Sequence, residues 1–263
     1  MQVQALNLQI GGLGKHSVTM EEVHSVPLPA QTASYTPVGH KLLVEMTKEN
    51  LKLQGFEVIG ETFSLAQSGA QFFGVMQVFR EDIASDGVGN ILHMRNSYNR
   101  TIAATLGIGS APFICTNMLL FAEDRLCKRH TSNVMNHLYP AISSKLEGLV
   151  GQWRDQSERE TEWKNVAIDQ READHLILQA ARANALPKSR ILDVAEQFAN
   201  PLHDFGGDSL YGLQQAFTEV YKQTAALGLA DRSAQLVRVL QAAAIADARD
   251  VTAESLGFHG LGI

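Results

Sequence analysis

The densest run of reactive side chains is "FICTNMLLFAEDRLCKRHTSNV", residues 113–134, which holds both cysteines of the chain. Cys115, Cys127 and His130 give a C-x11-C-x2-H spacing. Thiolates and imidazoles bind zinc, but structural zinc sites are built from two close ligand pairs, and Cys115 has no close partner. His137 does not complete the set: on a helix it would stand roughly 10 Å from His130 along the axis. A second chemistry is nucleophilic. Cys127 is followed by Lys128, Arg129 and His130, and neighbouring cations lower a thiol's pKa. No third group that would orient a base accompanies them. The spacing therefore assigns no catalytic residue and no metal ligand, and no cofactor is expected. "GGLGKH" (11–16) lacks the first glycine and the hydroxyl residue of a phosphate loop, and no strand-then-helix context surrounds it.

The cations offer a third chemistry. Arg95 and Arg100 flank "NSYN", and Arg125, Lys128 and Arg129 follow about thirty residues on. On an antiparallel sheet these segments can share one edge. Arginines beside amides and hydroxyls, with an aromatic surface, are what tracks the backbone of a single nucleic-acid strand. The alternative is a solvated sheet rim whose cations pair with Glu123 and Asp124.

Composition bounds these readings. The chain has 263 residues, 45% hydrophobic and 19% charged, which is a globular composition. No apolar run reaches the roughly 18 residues of a membrane span. The N-terminus reads as lacking a signal peptide, and two cysteines do not make a disulfide framework, so a cytoplasmic location is expected. The net charge of −6 argues against a surface coated with cations for duplex DNA. Its distribution is uneven. Residues 51–131 carry seven Lys/Arg against seven Asp/Glu, whereas residues 132–263 carry twelve against seventeen. Between Gly87 and Ala122 there is no acid, only Arg95 and Arg100.

The elements that must position these residues follow from periodicity. Residues 1–35 mix Gly, Pro, Ser and Thr and read as an extended N-terminal arm. "TPVGHKLLVEMTKENLKLQGF" reads as a helix that starts at Thr36-Pro37 and stops at Gly55. The period then changes to two. "FEVIGETFSLAQSGAQFFGVMQVF" is strand, turn and strand with Gln67-Ser68-Gly69 as the turn. "DGVGN" (86–90) is a further turn, followed by the strand "ILHMRNSYN". "TIAATLGIGSAPFICTN" reads as two apolar runs joined at Gly-Ile-Gly-Ser. From Ser132 the period is helical, with one stripe through Leu138, Ile142, Leu146, Leu149 and Trp153. The charged "RDQSERETEW" is either a solvated helix face or a connector. Three more helical patterns follow, broken at Pro187 and at 200–208, and then an apolar, Gly-rich tail. The expected fold class is α+β: an antiparallel sheet of about four or five strands after one helix (36–131), then a helical C-terminal region and tail (132–263).

"RNSYNRTIAATLGIGSAPFICTNMLLFAEDRLCKRHTSNV" resembles the centre of the family known as domain of unknown function 932, which includes the UPF0380 proteins. There, an Asn-Ser strand end precedes a hydrophobic hairpin, a Val-Cys-x-Asn strand and a basic-His-Thr segment that leads into a helix. Asn96, Ser97, Phe113, Cys115, Asn117, Lys128, Arg129, His130 and Thr131 occupy those positions. "SYTPVGHKLLVEMTKENLKLQGF" and "SLYGLQQAFTEVYK" are weaker echoes, so the resemblance spans roughly residues 34–225. Many members carry Asn-Ser-His-Asp where this chain has Asn96-Ser97-Tyr98-Asn99. A His–Asp acid–base pair is therefore not carried over.

The resemblance implies a protein of phages, prophages and plasmids, whose genes serve recombination, replication and evasion of defence. The helix–sheet–helix layout is similar to the core of single-strand-annealing recombination proteins. Two functions are expected from this. The first is non-enzymatic binding of single-stranded nucleic acid by a homo-oligomer. Arg95, Arg100, Lys128 and Arg129 would lie on phosphates, assisted by Asn96, Ser97 and Asn117, with Tyr98 or His130 stacking. The second is a protein–protein role against a host defence factor, through the acidic helical half. No membrane partner is expected in either case.

Overall fold

The computed structural model describes residue 6 and residues 17–83, 88–112, 119–120, 125–205, 207–223 and 226–255. They form two compact units. The first comprises Met1–Gln156 with Tyr221–Ala230, and the second Ser157–Val220 with Asp231–Ile263.

In the first unit, α1 (Met20–Ser25) is a short helix within the stretch that reads as an extended arm. A reciprocal cap starts it: Thr19 accepts from the Glu22 N–H, and Glu22 accepts from the Thr19 N–H. Next comes α2 (His40–Leu53). It begins three residues later than Thr36-Pro37 implies, because the backbone of 36–38 is committed to distant partners described below. It stops where expected. Gly55 is left-handed (φ 77°), with the Phe56 N–H on Leu51 O and the Gly55 N–H on Lys52 O, which satisfies the last carbonyls.

The sheet is an antiparallel meander of four long strands, β1 (Glu57–Ala66), β2 (Gln71–Phe79), β3 (Val88–Ser97) and β4 (Ala104–Pro112). Two short strands, β5 (Leu119–Leu120) and β6 (Leu126–Lys128), both pair with β4. The class is thus α+β as expected, and the Gln67-Ser68-Gly69 turn joins β1 to β2. Two turns are corrected. Val88-Gly89-Asn90, the end of the expected "DGVGN" turn, already runs in β3, and Asp86 and Gly87 lie outside the described residues. Gly107-Ile108-Gly109-Ser110 does not break the chain but runs through β4, paired with β3 from His93 to Asn90. A glycine inside a strand marks a close approach, and the Trp153 indole N–H indeed donates to Gly109 O at 3.2 Å.

The alternation of side chains divides the sheet into two faces. Phe63, Phe72, Met76, Leu92, Met94, Leu106 and Ile108 share one, by the register of β1 to β4. Gly74 sits among them, where an added Cβ would lie about 3.0 Å from Phe63 and Phe72 and 3.1 Å from Met94. The other face carries Thr62, Phe73, Val75, Gln77, His93, Arg95 and Thr105. These are buried as well, although an antiparallel sheet commonly leaves one face to water. The Leu6 N–H donates to Gln77 Oε1 on this polar face at 2.6 Å. After the sheet, α3 (Val134–Glu147) buries Val134, Leu138, Ile142 and Leu146 as the expected stripe. The charged "RDQSERETEW" belongs to α4 (Leu149–Asn165), so it is helix and not connector.

The second unit contains α5 (Gln170–Arg182) and α6 (Ile191–Ala199), which pack together, most of α7 (Leu210–Tyr221) and much of α8 (Ala226–Ser255). Asp169 and Glu172 cap α5 reciprocally. Backbone bonds from Ile168 to Asp208 and from Leu210 to Val166 tie the segment before α5 to the start of α7. Trp163, Ile177, Phe198, Leu213 and Phe217 are core residues here. No helix among the described residues is long and apolar enough to cross a membrane.

Candidate nucleic-acid interface

Three segments separated in sequence meet at one end of the sheet. They are the lead-in to α2 (residues 31–40), the β3–β4 loop (98–103) and the segment after β6 (129–133). The β1–β2 turn joins them through the Tyr98 N–H, which donates to Ala70 O at 2.7 Å. Asn99 Nδ2 donates to Gln67 Oε1, and Gln71 Nε2 to Thr101 Oγ1, so the two hairpin ends are fastened side by side.

The centre of this convergence is Val38. Its C=O accepts from Asn96 Nδ2 at 2.7 Å, and its N–H donates to His130 Nδ1 at 3.3 Å. The Thr36 N–H donates to His130 O, and Thr36 Oγ1 to Ser132 O. With these groups spent on tertiary partners, residues 36–38 cannot enter the helix. His40 lies flat on Tyr98, with ring centres 3.8 Å apart at 3°, and stacks on Phe72 at 5.2 Å. The His40 N–H donates to the Tyr98 hydroxyl, and the Tyr35 hydroxyl donates to Tyr98 O.

The electrostatics of the knot are those of neutral rings. Burial pushes His40 down to about 4, against the opposing Gly69 carbonyl, with His130 lowering it further. Burial likewise lowers His130, against the Ile102 and Thr36 backbone. It raises the Tyr35 and Tyr98 phenols. Two polar atoms of the knot, Asn96 Oδ1 and His130 Nε2, are buried without a hydrogen-bond partner.

The expected grip residues do not share one surface. Arg95 is buried on the polar face beside Phe73 and Thr105, and Asn96 points to the opposite face, as period two requires. Asn96 and Ser97 are fully buried. Ser97 Oγ closes the loop by donating to Ile102 O and accepting from the Ile102 N–H. Tyr98 is half-buried, and His40 occupies one face of its ring. His130 is buried against Tyr35 at 5.7 Å. In this conformation Arg95, Asn96, Ser97 and His130 support the site and do not line it. Asn117, Cys115 and Phe113 lie outside the described residues, as do Glu123 and Asp124. Cys127 has an exposed thiol.

What remains at the surface is cationic. Arg100 and Arg129 are exposed and Lys128 is partly so. Arg100 has a left-handed backbone (φ 64°), and its guanidinium carbon sits 4.2 Å above the Tyr35 ring. Among the described residues none of the three is in an ion pair. No Asp or Glu occurs in residues 23–44, 62–80, 88–122 or 125–146, so among the described residues every segment that meets here is free of acids. Tyr35 and His40, absent from the expected set, are central to it. Their only signal was the stretch "SYTPVGH".

Two other clefts are less suited to chemistry. One, of about 580 Å3, lies along Phe56–Glu61 with Lys48 and Lys52, and Lys48 is neutralised by Glu61 at 2.6 Å. The other, of about 280 Å3 in the second unit, is lined by Phe198, Pro201, His203, Asp204 and Asp208. Among the described residues no group of three His, Cys, Asp or Glu side chains is placed to hold a metal ion.

Fold and site thus define an α+β protein whose sheet ends in an acid-free cationic rim over a buried aromatic–histidine knot. The chain belongs to the family described as domain of unknown function (DUF932), whose model matches residues 27–252. No curated protein and no solved structure matches it.

Proposed function

We propose that this end of the sheet binds single-stranded nucleic acid through its phosphates, without catalysing a reaction. The observation that carries the reading is Arg100: held at a loop tip in a left-handed conformation, its guanidinium over the Tyr35 ring, among segments that contain no carboxylate. Arg129 and Lys128 add cationic charge, and the exposed amides and hydroxyl of Gln67, Asn99 and Ser132 supply neutral donors to phosphate oxygens. The rim is small and the net charge is −6, which suits one flexible strand better than a duplex. The layout of a helix, an antiparallel meander and a following helix supports an analogy with strand-annealing proteins, and with it a homo-oligomer serving a phage or plasmid in the cytoplasm. That analogy acts at the level of fold alone.

The test is the double charge reversal Arg100→Glu with Arg129→Glu. Affinity for a labelled single strand should fall at least tenfold, and the dependence of log K on log salt should flatten by about 1.4, at 0.7 per lost contact. Unchanged affinity in a folded double variant removes the rim from the interface. A second reading rests on exposed acids of the second unit: Glu158, Glu162, Asp169, Glu172 and Asp174. They would present carboxylates to a protein partner, and a chain that ignores oligonucleotides but captures one host protein stoichiometrically favours it.

A further inference from the structure

The hydrogen bonds at Val38 fix more than a fold. Its carbonyl only accepts, so the Asn96 atom 2.7 Å away must be the amide nitrogen. That nitrogen also lies 3.0 Å from His40 Nδ1, which therefore receives a proton and must itself be bare. His40 Nε2 then carries the ring's hydrogen and donates to Gly69 O at 3.0 Å. The Val38 N–H only donates, so His130 Nδ1 is bare too. One residue locks two imidazoles in the neutral state, each with its hydrogen on Nε2.

Among the described residues, none that faces His40 compensates an added charge. Tyr98 and Tyr35 are neutral phenols, His130 is a second imidazole and Arg100 is a cation. On its own helix, Lys41 and Glu45 pair with each other at 3.6 Å. A proton on Nδ1 would face the amide N–H of Asn96. Turning the amide would set Oδ1 against the Val38 carbonyl. Either way one of the two bonds that hold the α2 lead-in to β3 is lost. Tyr98, which stacks on His40 and accepts its backbone N–H, sits two residues before Arg100.

We infer that neutral His40 is the positioning residue of the interface, and that its protonation releases the loop presenting Arg100. This rests on the nucleic-acid reading only for its consequence, not for its mechanism. Burial already favours the neutral ring. The expected behaviour opposes simple electrostatics, since acid makes a protein more cationic and should tighten phosphate binding.

The experiment uses the intact chain labelled with 15N at histidine, followed by side-chain nitrogen spectra and amide exchange from pH 7.5 to 3.5 without nucleic acid. Both imidazoles should be neutral with hydrogen on Nε2 at pH 6. Protection of the Val38 and Tyr98 amides should be lost as His40 titrates, while β2 amides such as Val75 exchange faster only by the loss of overall stability and remain protected. The inference is overturned if His40 is cationic at pH 6, if it titrates with Tyr98 and Val38 still protected, or if β2 is lost at the same time. A second arm measures oligothymidylate affinity, whose bases gain no proton in this range, for wild type and His40→Gln. With a ring that titrates near 4, about a quarter of the molecules stay competent at pH 3.5. The ratio of wild-type to variant affinity should then drop about fourfold from pH 6. A constant ratio refutes the release. Absence of binding at every pH refutes the interface reading and leaves the spectroscopic test intact.

Discussion

Replacing Asn96 by leucine removes a side chain of similar size and leaves two buried acceptors, Val38 O and His40 Nδ1, without their donor. Each orphaned acceptor costs about 1–3 kcal/mol. The substitution also deletes Asn96 Oδ1, which is buried unpartnered in the native chain, and this returns about 1 kcal/mol. The net loss should be about 1–5 kcal/mol, confined to the first unit. Because the chain forms two compact units, a single unfolding curve would mix them, and native-state hydrogen exchange separates them. Amides of β2 and β3 should exchange about 5- to 4,000-fold faster, since about 1.4 kcal/mol is a factor of ten. Amides of α5 should not change. The variant should also let His40 take up a proton more readily, because no N–H opposes it. A change below threefold in β3, or an equal acceleration in α5, would refute the role assigned to Asn96.

Two further outcomes follow from the same knot. Arg100→Gly relieves a left-handed backbone that costs roughly 1–2 kcal/mol in a residue with a side chain and gives up a cation–π contact of about 0.5–1 kcal/mol; fold stability should stay within about 1 kcal/mol while single-strand affinity and its salt slope both drop, by oligonucleotide titration. Acid should destabilise the first unit. His40 is held below its ordinary 6.5 at about 4, so the unfolded chain binds the proton first. Its contribution is intact above pH 6.5, is lost as pH falls towards 4 and totals about 3 kcal/mol. Exchange of β3 amides at pH 7 and 4.5 should show this slope in wild type and lack most of it in His40→Gln.

Much of the fold is legible as periodicity: the change from 3.6 to 2 at Gly55, the Gln67-Ser68-Gly69 turn and the α3 stripe are all where local pattern puts them. Gly107 and Gly109 mislead because a strand glycine and a turn glycine look alike until the partner, here Trp153, is in place. Thr36-Pro37 is a sound helix start by local chemistry, yet the helix begins at His40 because Val38 is bonded to Asn96 and His130, 58 and 92 residues away. The site is legible only in part. "NSYNR" and "KRHTS" attract notice by their cations. Alternation alone would have put Arg95 and Asn96 on opposite faces, but burial of both faces depends on what covers the sheet. The role of Tyr35 and His40 is wholly tertiary, built from stacking on residues more than thirty positions distant.

The most direct measurement is fluorescence anisotropy of a labelled single-stranded oligonucleotide with the intact protein, at low and moderate salt, with a duplex of the same sequence as control. The proposed interface requires tight binding at low salt that weakens steeply as salt rises, and a clear preference for the single strand. No binding at low salt, or equal affinity for the duplex, would contradict it.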